Sequence, residues 1–170
     1  HTLRVTSGNY SVHNNLGIAY ENKGLAEEAI YHYTESLRIK PAYEKAIGNL
    51  GNILTEQGKT ETAVALYRHA LSIQPGSAKS HNNLAVALIK QDQPEKGMRH
   101  FKKALEIDPG YAKAHYNYGN ALAHMGRTDA ALGHLKAAVR INPLFVKAHN
   151  NLGVALAISG KPADAIPHYT

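Results

Sequence analysis

Asn49-Leu50-Gly51 recurs at a constant step. Asn15-Leu16-Gly17, Asn83-Leu84-Ala85, Asn117-Tyr118-Gly119 and Asn151-Leu152-Gly153 continue it, each 34 residues from the next. A period of this length marks an array of small, equivalent units. In every unit the large apolar residue is followed by a tiny one, where a longer side chain would hold neighbouring helices apart. Three residues beyond the tiny residue come Tyr20, Leu54, Leu88, Leu122 and Leu156, which complete an apolar stripe at helical spacing. This is the first helix of each unit.

Gly24, Gly58, Gly126 and Gly160 then close that helix, with Asp92 in the third unit. A second helix follows. It carries Ala29, Ala63, Gly97, Ala131 and Ala165, then Tyr33, Tyr67, Phe101, Leu135 and Tyr169, then Leu37, Leu71, Leu105 and Val139. It stops before Pro41, Pro75, Pro109 and Pro143, since proline disfavours helix in the residue ahead of it. Pro94 and Pro162 suit the opening turn of a second helix, whereas Pro167 falls five residues later and is expected to weaken or bend the last one.

The small residue after Leu, the Gly turn, the Ala, the aromatic, the second Ala (Ala70, Ala104, Ala138, with Ser36 departing) and the Pro together resemble the tetratricopeptide repeat. The resemblance covers nearly the whole chain. It implies an all-α, right-handed superhelical solenoid of antiparallel helix pairs, with the first helices lining a concave face. The family's early first-helix aromatic is replaced by His13, Ile47, His81, His115 and His149, which alters packing detail only. On this register, residues 1–9 read as the tail of a preceding repeat, 10–43, 44–77, 78–111 and 112–145 as whole units, and 146–170 as a truncated one. Neither end shows a polar capping repeat, so the chain is expected to be a segment of a longer protein.

Composition narrows the function. The 170 residues are 44% hydrophobic, too apolar for disorder. Nineteen Lys+Arg against thirteen Asp+Glu give a formal charge of +6, which tilts the partner toward something acidic without the basic density of a nucleic-acid binder. With no cysteine there is no disulfide framework, thiolate metal site or thiol nucleophile. No apolar run approaches the ~18 residues of a membrane span, and no signal-peptide layout opens the chain, so a soluble segment is expected. The compartment stays open, with the cytoplasm favoured.

Stacking explains the apolar registers, so function must be sought among polar positions that repeat without a packing reason. Asn15, Asn49, Asn83, Asn117 and Asn151 form one such row. An amide offers donor and acceptor together and matches the alternating N–H and C=O of an extended peptide whatever its sequence. The row is similar to the asparagine ladder of the superhelix that feeds protein substrates to O-linked N-acetylglucosamine transferase, and this resemblance implies main-chain capture. The competing reading is that each Asn satisfies a nearby backbone group.

One helical turn earlier stand Lys45, Lys79, Lys113 and Lys147, with Ser11 in the first unit. The helix dipole disfavours cations in a first turn, so helix stability does not explain them. They would select acidic peptides or a terminal carboxylate, or else simply be solvated. Asn52 and Asn120, further along the same face, join the candidate set, among diverging neighbours that would supply side-chain specificity. The tetratricopeptide domains that clamp the C-terminal carboxylate of heat-shock chaperones use a Lys, Asn, Asn, Lys, Arg set. Asn83 or Asn117 stands where that Arg belongs, so the resemblance stops short of that clamp.

Eleven histidines include four pairs 19 residues apart: His13/His32, His81/His100, His115/His134 and His149/His168. In an antiparallel pair of helices this spacing sets both rings at similar height. No cysteine or obvious carboxylate completes a metal site, so no metal and no cofactor is expected. Every polar feature is repeated or scattered, without the unique constellation an active site requires, and no enzyme is expected. The function read from the sequence is a protein-interaction scaffold that holds an extended acidic peptide in its groove. The alternatives are self-association through uncapped ends, or presentation of substrates within a larger enzyme such as a glycosyltransferase. RNA is disfavoured because the rungs lack aromatic or arginine stacking groups.

Overall fold

The computed structural model describes residues 9–169. The tail assigned to residues 1–9, apart from Asn9, and Thr170 lie outside the described residues. Among the described residues ten α-helices follow one another: α1 (Tyr10–Asn22), α2 (Ala26–Ile39), α3 (Glu44–Glu56), α4 (Thr60–Ile73), α5 (Ala78–Lys90), α6 (Pro94–Ile107), α7 (Ala112–His124), α8 (Thr128–Ile141), α9 (Val146–Ile158) and α10 (Pro162–Ala165). A 3₁₀ turn, Ile166–His168, continues from α10. No strand occurs among the described residues. The fold is a solenoid of helix hairpins.

Local chemistry sets the helix ends. Gly24, Gly58, Gly126 and Gly160 take φ between 72° and 77°, and Asp92 takes 57° at the same turn. Left-handed backbone there reverses the chain within three residues. Pro94 and Pro162 are the first residues of α6 and α10. Pro167 acts as expected, for α10 ends at Ala165 and the chain tightens into the 3₁₀ turn around it.

Packing follows the repeated registers. Tyr33, Tyr67, Phe101 and Leu135 are at most 1% exposed, and Tyr33, Tyr67 and Leu135 fill the space that Gly17, Gly51 and Gly119 leave. Burying a side chain of this size contributes roughly 1.5–3 kcal/mol. Three clusters follow one another along the array, around Tyr33–Leu50–Tyr67–Leu84, around Phe101–Tyr118–Leu122, and around Leu135–Leu152–Leu156. The core is a ribbon that follows the stack.

Each first helix touches the next first helix, α1 to α3, α3 to α5, α5 to α7 and α7 to α9, while among the described residues successive second helices do not approach one another. The array therefore closes on the side of the first helices, and α1, α3, α5, α7 and α9 line its inner face.

Candidate inner-face site

The asparagine row lies on the inner helices, and its seam bonding is not uniform. Asn49 donates to Asn14 Oδ1 at 3.2 Å, Asn117 to Asn82 Oδ1 at 2.9 Å, and Asn151 to Asn120 Oδ1 at 2.7 Å. Each of these bonds crosses from one unit to the one before it. The reason lies one residue before the rung, where the chain carries Asn14, Gly48, Asn82, Tyr116 and Asn150 in turn. Asn14 and Asn82, 1% and 0% exposed, are amides that receive the next rung. Gly48 has no side chain to receive Asn83, which instead accepts from Asn82 at 2.9 Å and shares a cavity wall with Tyr67. Tyr116 offers no amide, so Asn151 reaches Asn120. Asn15 is exposed.

Three rungs thus bond a non-rung amide of the preceding unit, a partner that neither sequence reading named. A carboxamide has two N–H groups and two oxygen lone pairs, so one seam bond leaves donor and acceptor capacity on each rung. Asn49, Asn83, Asn117 and Asn151 stay half-buried, their amides turned by these bonds to a fixed orientation.

Two adjoining cavities bring the central candidates together. One, of about 160 Å³, is lined by Asn52, Asn83, Lys113 and Asn117, with Tyr67 at its floor. The other, of about 180 Å³, is lined by Lys45, Asn49, Asn52, Lys79, Asn83 and Lys113. Asn52, Asn83 and Lys113 belong to both, so α3, α5 and α7 share one continuous polar trough. Asn120 and Asn151 line a different cavity, of about 460 Å³, walled by Ala123, Val154 and Ile158. Lys147 is exposed on α9.

Sequence reasoning missed several trough residues. Glu44 lies 3.4 Å from Lys79 Nζ and accepts the Ser77 hydroxyl at 2.6 Å, so one lysine of the basic row already has a carboxylate neighbour. Tyr111 joins the same wall; burial first, then Glu44, pushes its hydroxyl above the usual range. Tyr67 is held above the usual range chiefly by burial, so it stays a neutral hydroxyl. Glu44 sits beside Lys45 in the sequence, but its reach to the following unit has no signal there.

Among the described residues, no group of three His, Asp or Glu side chains is placed to hold a metal ion. No helix among them is long and apolar enough to cross a membrane.

Models of the tetratricopeptide repeat match residues 10–43, 51–92 and 88–152. No curated protein matches the chain. Similar solved structures include a thermophilic tetratricopeptide protein of Thermus thermophilus, at 19% identity and TM-score 0.81, covering 94% of this chain and 88% of that one. PilW, a widely conserved type IV pilus biogenesis factor, aligns at 26% identity and TM-score 0.80 over 94% of this chain and 76% of its own. YrrB, described as a tetratricopeptide protein with an unusual peptide-binding site, aligns at 20% identity and TM-score 0.61 over 96% and 90%. These likenesses show a shared fold.

Proposed function

Because the chain belongs to the tetratricopeptide repeat family, we propose that it is a protein-interaction scaffold whose inner trough holds an extended, acidic segment of a partner protein. The observation that carries this reading is the convergence of Lys45, Asn49, Asn52, Lys79, Asn83, Lys113 and Asn117 on two cavities with shared walls. Main-chain groups of the ligand meet the amides, and its carboxylates meet the lysines. Neighbouring helices ~10 Å apart and a chain rising ~3.3 Å per residue give each rung about three ligand residues. The central trough therefore accommodates roughly nine.

The seam bonds support this use. Rungs already oriented lose little freedom when a ligand arrives, which favours binding. The lysines are exposed and supply long-range attraction that salt screens.

An array of acidic, neutral and basic extended peptides tests the proposal. Preferential capture of the acidic set, weakening as salt rises, is the expected result. Equal capture of all three would remove the lysines from the reading, and capture of none would remove the trough.

A second reading, self-association, rests on Leu144, at the end of the fourth unit, and Val146, Ile158 and Ile166 of the fifth, all exposed. Sedimentation would then show mass rising with concentration; a constant monomer mass counts against it.

A further inference from the structure

The four histidine pairs take no part in the trough, and their geometry is more specific than ring packing requires. Nδ1 faces Nδ1 at 3.0 Å in His13/His32, His81/His100 and His115/His134, and at 2.9 Å in His149/His168. In three pairs the first-helix ring also places Nε2 against a backbone carbonyl: His81 on Pro75 at 3.0 Å, His115 on Pro109 at 3.1 Å, and His149 on Pro143 at 3.0 Å. A carbonyl only accepts, so these Nε2 atoms carry hydrogen. A neutral imidazole has one N–H, which leaves Nδ1 of His81, His115 and His149 as bare acceptors. His100, His134 and His168 must then donate through Nδ1. Each pair holds one hydrogen in its gap.

Protonation acts on this gap in two steps. A first proton enters at Nε2 of the second-helix ring and leaves the Nδ1–H to Nδ1 bond in place. A second proton must go to the remaining bare Nδ1. Two N–H groups then point at each other between two cations, and the rings part.

The surroundings resist even the first step. Burial holds His100 below the ordinary imidazole value, followed by His81, Arg68 on α4 and Arg99 on α6. Burial lowers His81 too, with Lys103 of α6 adding to it and the Pro75 carbonyl opposing. His134 is lowered by burial and by His115, and the ring of Tyr118 lies 4.3 Å from its own. His168 is lowered by burial, His149 and Lys136 of α8. His32 is lowered by burial and His13 while Glu35 opposes, and the rings of Tyr20 and Tyr31 flank it.

We propose that these pairs are proton-sensitive clips that fasten second helix to first in each hairpin and release in acid, loosening the inner wall that carries the asparagine rungs. The effect on ligand binding rests on the trough reading above; the clip itself does not. His81, His115 and His149 stand on the same helices as Asn83, Asn117 and Asn151, so the clips act on the rungs by holding α5, α7 and α9 against α6, α8 and the segment that follows α9. The linkage has a definite sign. Folded-state values below 6.5 mean that the folded chain binds fewer protons than the unfolded one. The stabilisation is complete above 6.5 and is lost as pH falls through the depressed values.

The second unit provides a natural control, because Ile47 and Leu66 occupy the two positions there within the same hairpin geometry. The test compares the full chain with a variant carrying His81→Ile/His100→Leu, His115→Ile/His134→Leu and His149→Ile/His168→Leu. Thermal unfolding is followed at about pH 7.5 and about pH 5, which bracket the imidazole range. The parent should lose several degrees of Tm on acidification, and the variant less than half as much; equal losses overturn the clip. Nitrogen NMR of the parent's imidazoles needs no variant and decides the question if the variant fails to fold. Depressed titration, with hydrogen on Nδ1 of His100 and on Nε2 of His81, supports the proposal, and independent titration at ordinary values overturns it. Binding of an acidic peptide, measured at both pH values, should weaken in acid for the parent and not for the variant. If no peptide binds at either pH, the trough reading fails while the stability and NMR results still decide the clip.

Discussion

The Tyr67 ring lies against the backbone of Gly51, where a β-carbon would overlap it, and Tyr67 lines one cavity with Asn83 of the following unit. One side chain thus joins the hairpin core of the second repeat to a rung of the third. The Gly in Asn49-Leu50-Gly51 serves this close approach, since α3 would otherwise stand further from α4.

Gly51→Ala therefore drives a methyl into a ring that is 1% exposed. Alanine favours helix by about 1 kcal/mol over glycine, but overpacking costs about 1–3 kcal/mol. A net loss of stability is expected in urea unfolding. Gly48→Ala, which meets only Asn83 at 3.8 Å, should be neutral or stabilising and provides the contrast.

Asp92 holds φ of 57° at a turn where four other units use glycine. The left-handed region costs an ordinary residue about 1 kcal/mol, partly offset by the greater freedom of glycine when unfolded. Asp92→Gly should raise stability by about 0.5 kcal/mol, read as a higher denaturant midpoint with unchanged slope.

Asn82 is fully buried and holds two rungs at once, donating to Asn83 and accepting from Asn117, both at 2.9 Å. Asn82→Ala leaves both partners short of a bond in a half-buried seam, at a cost of about 1–3 kcal/mol. Asn15→Ala, on an exposed side chain, should stay within ~0.5 kcal/mol of the parent. Chemical unfolding of the two variants side by side checks the difference.

Glu44 lies beside Lys79 and is itself within the trough. Glu44→Gln keeps an acceptor for the Ser77 hydroxyl but removes the negative charge. Stability should change by less than ~1 kcal/mol, as for other exposed ion pairs. Affinity for an acidic peptide should rise, with a steeper salt dependence in titration calorimetry.

Much of this protein is legible one unit at a time. Leu50, Gly51, Leu54, Gly58, Ala63, Tyr67 and Pro75 state the hairpin, because each acts within its own unit or on the adjacent one. Repetition then makes a single motif readable several times over. Pro167 was legible for the same reason: missing a backbone N–H is a local fact.

The amide network was not legible in that way. Whether a rung bonds backward depends on Asn14, Gly48, Asn82 or Tyr116 in the preceding unit, a position that keeps no pattern, so Asn83 and Asn151 find partners of their own. The link from Glu44 to Lys79 is likewise a contact between units. For the histidines, the sequence set two rings at one height, and only the packed hairpin aimed Nδ1 at Nδ1 and gave Nε2 its proline carbonyl. The sequence alone determined the repeat, its helix ends and its apolar stacking, since those follow from backbone preference and periodic burial. The tertiary structure alone decided which polar atoms meet, because a hydrogen bond depends on distances of a few tenths of an ångström between side chains of different helices.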